Sequence, residues 1–256
     1  MIRFDKVHKK LGGRVVLDGV DFEIGDNETF VIIGTSGAGK SVTLKHMVRL
    51  LTPDSGRVWI GDDIVSEASG ADLERIRDRF GFLFQGAALL QWLNVGDNVA
   101  LPLREKTSKS ETEVDRLVNE KLKLVGLKNV VDRYPSDLSG GMRKRVGLAR
   151  AIVMSPEIIL YDEPTSGLDP VTSRTIDNLI DSLRKELGVT SVVVTHDLHS
   201  ALAIGTRIAM LHQGRIVEVS TPADFVKSRN EVVKSFLEAQ YITKHGVWEK
   251  AVKDEA

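Results

Sequence analysis

The chain has 256 residues, and its 35 basic and 36 acidic side chains leave a net charge of −1, so no global field draws it to nucleic acid or acidic lipid. Cysteine is absent, which excludes disulfides and thiol chemistry and fits a reducing compartment. No apolar run approaches the roughly 18 residues of a membrane span, and the charged opening from Met1 to Lys10 is unlike a signal peptide. We therefore expect a partner to hold the protein at any membrane on which it acts.

The first part of the chain predicts short strands joined by turns. Residues 2–7 and 20–24 alternate apolar and polar side chains, as half-buried strands do, and glycine-containing turns lie next to them. Residues 57–60 and 80–84 predict two more strands, with a short helix over residues 72–78 between them.

A phosphate-binding loop is the most specific feature of the sequence. The pattern G-x-x-x-x-G-K-[ST] is matched at every fixed position by Gly34-Thr35-Ser36-Gly37-Ala38-Gly39-Lys40-Ser41. It lies between a predicted buried strand over residues 29–33 and a predicted helix over residues 42–51. The glycines let backbone N–H groups converge on phosphate oxygens, and the helix N-terminus adds partial positive charge. Lys40 would reach the outer phosphates, and the Ser41 hydroxyl would bind Mg²⁺.

Residues 86–155 predict a mainly helical subdomain inserted in the α/β core. A helical stripe runs through residues 110–125, with Ser110 and Glu113 spaced as a capping box, and another helix is predicted over residues 142–154. Three successive basic residues, Arg143 to Arg145, fan around the axis of that last helix. We interpret them as a solvated face and not as a nucleic-acid patch.

Alternating strands and helices resume after this block. Residues 157–161 and 191–195 predict strands, with an amphipathic helix over residues 171–187 between them. The second strand is continuously apolar, as a parallel sheet covered on both faces requires. A hairpin is predicted over residues 207–219, followed by a helix over residues 230–242 and a polar tail that contains Trp248. This order favours a largely parallel α/β sheet.

Two acidic residues and a second glycine turn carry further chemistry. Asp162 would hold Mg²⁺ at the end of its strand, and the adjacent Glu163 could aim at a water beside the terminal phosphate, which suits hydrolysis. The turn Ser139-Gly140-Gly141 precedes a helix and could form another anion nest. Two such nests in one chain suggest a nucleotide bound between two molecules.

Taken together, these motifs resemble those of the nucleotide-binding subunit of ATP-binding cassette (ABC) transporters. The family's signature motif is similar to Leu138-Ser139-Gly140-Gly141, and Gln85 fits its Q-loop. Its D-loop is similar to Ser166-Gly167-Leu168-Asp169, and its switch histidine is similar to His196. The resemblance covers residues 1 to about 228.

This resemblance implies a P-loop NTPase (RecA-like) core with a mainly parallel sheet, an N-terminal antiparallel β subdomain and an inserted α-helical subdomain. It divides the chain into an ATPase domain over residues 1–228, with the helical subdomain at about 86–155, and a C-terminal helix and tail over residues 229–256. Two copies are expected to close head to tail around two ATP molecules with Mg²⁺.

The resemblance also implies a role for each matched residue. It implies that the catalytic residues are Lys40, Gln85, Glu163 and His196. Glu163 would be the general base or would position the water, and His196 would contact the γ-phosphate. Mg²⁺ would be held by Ser41, Gln85 and Asp162, and Asp169 would link the two ATP sites of the dimer. ATP contacts come from Gly34, Thr35, Ser36, Gly37, Ala38, Gly39, Lys40, Ser41 and Val42 of one chain and from Ser139, Gly140 and Gly141 of the other.

The stretch from Phe84 to Glu105 is more distinctive than the catalytic motifs. It resembles the ATPases of Mce/Mla-type lipid transporters, in which a Q-x-x-A-L segment leads into N-V-x-D-N-V-A-x-P-L-R-E, and in which basic residues follow LSGGM. The resemblance implies phospholipid or other lipid cargo, an integral membrane permease and an Mce-domain lipid-binding protein. The ATPase would lie in the cytoplasm, on the inner face of the inner membrane.

Other functions share the same catalytic motifs. The ATPase of a polar-solute importer would differ only in its partner. A non-transport ABC ATPase is opposed by the lack of a long coiled coil and of a second cassette, and a non-hydrolysing scaffold is opposed by Glu163 and His196. Many ABC ATPases stack an aromatic residue on adenine near position 11, where this chain has Leu11, and the nearest ring is that of His8.

Overall fold

The computed structural model describes residues 1–240. The predicted end of the last helix at Ile242 and the tail with Trp248 lie outside these residues. Among residues 1–240, no helix combines the length and the hydropathy that crossing a bilayer requires.

A four-stranded antiparallel sheet forms the N-terminal part, in the order β2-β1-β4-β5. Its strands are β1 (Ile2–Leu11), β2 (Arg14–Ile24), β4 (Ser55–Ile60) and β5 (Asp63–Ile64). The first two are longer than predicted, because Gly12 and Gly13 both adopt positive φ and join them in a tight hairpin. The charged end of β1 is held by Asp54, whose carboxylate accepts from Lys9 Nζ at 2.7 Å.

The main sheet has six strands in the order β10-β9-β3-β8-β7-β6. These strands are β3 (Thr29–Ile33), β6 (Phe80–Leu83), β7 (Ile158–Asp162), β8 (Thr190–Thr195), β9 (Arg207–His212) and β10 (Arg215–Ser220). All neighbouring pairs are parallel except the β9–β10 hairpin. The prediction of a mainly parallel sheet beside an antiparallel subdomain is confirmed.

Helices cover both faces of this sheet. They are α1 (Lys40–Met47), α2 (Gly70–Arg77), α3 (Val95–Lys106), α4 (Glu111–Leu124), α5 (Gly140–Ile152), α6 (Pro170–Leu187), α7 (Leu198–Ile204), α8 (Pro222–Phe225) and α9 (Glu231–Ala239). One buried cluster joins the sheet to α3–α7 and α9, and a second joins its other face to α1 and the antiparallel sheet. Strands β3, β7 and β8 are buried along their whole length, because both faces are covered.

Helix α3, like the shorter α7 and α8, is an element that the sequence pattern does not predict. It contains Pro102, which interrupts the periodic signal, and it begins after Asn94, whose side chain accepts from the Asp97 N–H at 2.7 Å. The fully buried Asn98 donates to the carbonyls of Leu90 and Leu93, both at 3.0 Å, and so fixes the loop before the helix. Helices α3, α4 and α5 all lie in the chain between β6 and β7.

Helix ends differ from the predictions by a few residues for local reasons. Helix α1 ends at Met47 and not at residue 51, because Arg49 adopts a positive φ and the Leu50 N–H bonds back to the Lys45 carbonyl at 2.8 Å. The expected capping box of α4 is only half formed: Ser110 accepts from the Glu113 N–H, but the Glu113 carboxylate binds Lys109.

Candidate nucleotide-binding site

The carboxyl ends of the parallel strands meet at one edge of the main sheet, and a cleft of about 590 Å³ opens there. The phosphate-binding loop follows β3, Gln85 follows β6, Glu163 follows β7 and His196 follows β8. Of the predicted residues, the walls contain residues 35–37 and 39–42, together with Gln85, Glu163 and His196. Gly34 and Ala38 lie behind this wall, where both are buried.

Glycine is required at two positions of the loop. A Cβ on Gly34 would lie 2.3 Å from the Leu211 carbonyl oxygen. Gly39 has φ +107°, and a Cβ there would lie 2.9 Å from the Val16 carbonyl oxygen. Because Gly39 is the N-cap, α1 begins at Lys40, two residues earlier than predicted, and its free N–H groups start directly at the cleft.

The Lys40 side chain reaches back across the loop from the start of α1. Its side chain is 7% exposed, and Nζ donates to the carbonyl oxygens of Gly34 at 2.9 Å and Thr35 at 3.1 Å. The same Nζ lies 3.4 Å from Glu163 Oε1. A buried ammonium group therefore stands between the loop and the carboxylate.

Glu163 and His196 contact each other across the ends of β7 and β8. Glu163 Oε2 lies 2.8 Å from His196 Nδ1 and accepts from the His196 backbone N–H at 3.3 Å. Glu163 adopts φ +48°, a left-handed conformation that costs a non-glycine residue about 1 kcal/mol or more. Its N–H donates to the Val194 carbonyl at 2.9 Å, so the neighbouring strand holds the strained residue in place.

Two of the three residues predicted to hold Mg²⁺, Ser41 and Asp162, contact each other. Ser41 Oγ donates to Asp162 Oδ1 at 2.7 Å. Burial raises the pKa of Asp162; the Ser41 hydrogen bond opposes this shift and the nearby Glu163 charge adds to it. A hydroxyl and a carboxylate are hard oxygen donors of the kind that Mg²⁺ prefers, and Gln85 lines the same cleft.

The signature and D-loop residues do not line this cleft. Ser139 Oγ accepts from the Met142 N–H at 3.2 Å and caps α5, which therefore begins at Gly140 and not at residue 142. Asp169 caps α6 in the same way, and hydrogen bonds from the Thr172 side chain and the backbone lower its pKa. A Cβ on Gly141 would lie 2.4 Å from Thr172 Cγ2, so glycine permits the close approach of the two helix starts.

The interpretation of residues 143–145 as a solvated face is wrong for Lys144. This side chain is 5% exposed, and its Nζ donates to the main-chain carbonyls of Gln85 and, at 3.0 Å, Glu163. Burial lowers the pKa of Lys144, and the charges of Asp162 and Glu163 oppose that shift. No motif could have predicted this role, because its acceptors are backbone atoms far away in sequence.

Sequence reasoning also missed three residues of the cleft wall: Val16, Phe236 and Gln240. The last two belong to α9 and to the residue after it, so the C-terminal helix borders the phosphate-binding loop. His8, the nearest ring to position 11 in sequence, does not line the cleft. Its Nδ1 lies 3.3 Å from Asp18 Oδ1 on the antiparallel sheet.

Comparison with known proteins agrees with this geometry. Residues 17–166 match the family model described as ABC transporter. The chain is 40% identical over 248 residues to a probable ribonucleotide transport ATP-binding protein of Mycobacterium leprae, covering 97% of this chain and 71% of that protein. It is 39% identical to a methionine import ATP-binding protein of Xanthomonas euvesicatoria, covering 94% of this chain and 74% of that protein.

Solved structures agree as well. An ATP-binding cassette in a dimeric post-hydrolysis state with ADP and phosphate is 35% identical, with a TM-score of 0.80 over 87% of this chain and 99% of that one. The protein cbiO1 of Clostridium perfringens, part of the ABC transporter complex cbiONQ, is 27% identical, with a TM-score of 0.81 over 93% of this chain and 94% of that one. The chain belongs to the ABC transporter family, as an ATP-binding and ATP-hydrolysing subunit.

Proposed function

We propose that this chain energises lipid movement through an Mce/Mla-type permease by hydrolysing Mg²⁺-bound ATP. The observation that carries the catalytic part is the convergence of Lys40, Ser41, Gln85, Glu163 and His196 on one cleft. The ATPase domain comprises residues 1–228, with the helical subdomain at about 86–155, and residues 229–256 form a C-terminal piece.

Each residue of the cleft has a role that its position supports. The backbone N–H groups at the start of α1 and the Lys40 ammonium group bind the phosphates. Ser41, Asp162 and Gln85 would hold Mg²⁺, which neutralises charge on the phosphates. Glu163 orients the attacking water or takes its proton, and His196, 2.8 Å from that carboxylate, contacts the γ-phosphate.

The position of the signature motif supports a head-to-tail dimer. Ser139 and Gly141 lie outside the cleft of their own chain, at the start of α5, where a helix N-terminus favours anions. A second copy facing this surface would place its phosphates there and complete two composite sites. Asp169, which caps α6 beside Gly141, would connect them.

A groove of about 400 Å³ between the helical subdomain and the main sheet suits a permease segment. Its wall includes the stacked rings of Phe82 and Phe84, whose centroids are 4.1 Å apart, together with Leu101 and Pro102 of α3. Phe84 is 36% exposed and Trp92, in the loop before α3, is 74% exposed. A docked permease would place the ATPase in the cytoplasm, on the inner face of the inner membrane.

The cargo assignment depends on the stretch from Phe84 to Glu105, which supplies part of this groove and resembles the lipid-transporter ATPases. A polar-solute importer is the second candidate, because the relatives named above are described as ribonucleotide and methionine transport proteins. Both candidates use the same cleft, so only the partner distinguishes them.

The test is affinity purification of the full chain from its native membrane in mild detergent, followed by mass spectrometry of proteins and lipids. We compare the wild type with Phe84→Ala, which removes a groove ring, and with Tyr134→Ala. Tyr134 is the matched control, because it is a 47% exposed aromatic residue of the same subdomain and does not line the groove.

We expect wild type and Tyr134→Ala to recover a permease, an Mce-domain protein and bound lipid, and Phe84→Ala to recover at least several-fold less permease. A solute-binding protein in place of the Mce-domain protein would establish the importer. Recovery of the permease unchanged by Phe84→Ala would refute the groove as its docking site.

A further inference from the structure

Helix α5 carries a lysine that the sequence motifs leave unused. The buried Lys144 ammonium group donates to the carbonyls of Gln85 and Glu163, which belong to the loops after β6 and β7. These loops are far apart in sequence, but their strands are neighbours in the sheet. One charged group therefore joins the signature helix to both catalytic loops.

The same helix holds the next part of the Gln85 loop. Arg150 donates to the carbonyls of Ala87 at 2.8 Å and Ala88 at 2.9 Å. Both alanines adopt positive φ, a conformation that is unfavourable for an L-residue. Because the contacts from α5 stabilise this unfavourable backbone, the position of the loop follows the position of the helix.

Glu163 depends on Lys144 in a comparable way. Its φ is also positive, its N–H donates to the Val194 carbonyl, and its own carbonyl accepts from Lys144 Nζ at 3.0 Å and from the Ser166 N–H at 3.2 Å. The main chain on both sides of the Glu163 side chain is therefore held by hydrogen bonds. Removing the lysine would leave this carbonyl with the longer Ser166 hydrogen bond alone and allow the carboxylate to move relative to the cleft.

We propose that Lys144 is a positioning residue that couples the signature helix to the Gln85 loop and to the Glu163 carboxylate. The inference rests on the proposed function, in which Glu163 orients or activates water. Helix α5 begins at Gly140, about one turn before Lys144, so nucleotide of a second copy bound at the helix start acts on the helix that holds Glu163. Lys144 thus connects the site completed in the second copy to the cleft of its own chain.

The first test compares ATP turnover by the full-length variants Lys144→Met, Lys144→Arg and Lys121→Met. Lys121 is the matched control: it is a 7% exposed lysine of the same subdomain, and it pairs with Glu120 away from the cleft. We expect Lys144→Met to lower kcat by about 10- to 100-fold with KM within about threefold, because a small misplacement of a catalytic group costs that much. We expect Lys144→Arg to recover most of the rate, because a guanidinium group can donate to both carbonyls.

A structural role alone predicts a different pattern. In that case Lys144→Met and Lys121→Met would both lower the melting temperature, and folded protein of either kind would keep the wild-type kcat. Wild-type kcat in folded Lys144→Met would therefore overturn the proposal. If the methionine variant does not fold, Lys144→Gln, with a neutral donor, provides the same comparison.

A second readout is independent of turnover. In a Glu163→Gln background we measure deuterium exchange of residues 84–94 with and without ATP. We expect ATP-induced protection to persist with Lys121→Met and to fall by at least half with Lys144→Met; equal protection in both would refute the coupling. Glu163→Gln alone separates the two claims: an active enzyme overturns the proposed function, whereas an inactive one with unaffected Lys144→Met overturns only the coupling.

Discussion

Asp177 on α6 shows how one side chain sets a pH dependence in this protein. It is 4% exposed, and its Oδ2 accepts from Ser200 at 2.9 Å, which ties α6 to α7. Burial raises the pKa of Asp177; the Ser200 hydrogen bond and Arg174 oppose this shift, and the nearby Asp197 adds to it. The charged form is thus less favourable in the folded protein than in the unfolded chain.

The substitution Asp177→Asn should stabilise the fold at neutral pH. A carboxyl group with a raised folded pKa binds more protons in the folded state, so its contribution to stability falls as pH rises from the ordinary value of 3.8 through the folded value. We expect Asp177→Asn to melt higher than wild type at pH 8, with a gain that shrinks as pH approaches 4. Thermal unfolding at several pH values measures this.

Asp181 on the same helix provides a control of opposite sign. The Lys185 hydrogen bond lowers its pKa, so this group contributes stability that is lost as pH falls through its lowered folded pKa. Asp181→Asn should slightly lower the melting temperature at pH 8. An Asp177→Asn variant that behaves like Asp181→Asn would contradict the assigned shift.

Residues with a fixed motif spacing were predictable at this scale. Lys40, Ser41, Glu163 and His196 stand in the cleft because parallel strands end at one edge of the sheet. Lys144 was not predictable, because it binds backbone carbonyls of loops that are far away in sequence. Phe236 was not predictable, because it belongs to a helix that is distant in sequence from the phosphate-binding loop.

At the scale of elements, the close packing of α5 on β6 positions the Gln85 loop. Gly147 makes it possible, since a Cβ there would lie 2.9 Å from Leu83 Cδ1 and 3.1 Å from the Ala87 Cβ. The strands and most helices were predictable from periodicity, and the errors occur where another interaction decides. Pro102 interrupts the helical pattern of α3, so this helix was not predicted. The cap formed by Ser139 starts α5 at Gly140, two residues before the predicted start.

We predict that Gly147→Val lowers the free energy of unfolding by about 1–3 kcal/mol, because the added methyl groups overpack the α5–β6 contact. Denaturant titration measures the change. Gly86→Val is the control, since within residues 1–240 no atom beyond the adjacent residues lies within 4 Å of a Cβ at that position, and we expect a change of no more than about 0.5 kcal/mol. Equal midpoints for the two variants would contradict tight packing at Gly147.

At the scale of the molecule, the proposed function requires each chain to present two incomplete halves of a catalytic site. One half is the cleft with Lys40 and Glu163, and the other is the start of α5 with Ser139 and Gly141. The net charge and the composition of the sequence did not indicate this arrangement. The presence of two glycine-rich turns in one chain did indicate a nucleotide bound between two molecules. The account requires two chains and two nucleotides to bring these halves together.

The most direct measurement compares the ATP turnover and the molar mass of Glu163→Gln with those of Glu157→Gln. Glu157 is the control, because it is an exposed carboxylate directly before the first residue of β7. With Mg²⁺ and ATP, Glu163→Gln should lose turnover by at least about 100-fold and elute with bound ATP at twice the 28.2 kDa chain mass. Glu157→Gln should hydrolyse ATP like wild type. A Glu163→Gln variant that still turns over ATP, or that stays monomeric with ATP bound, would contradict the account.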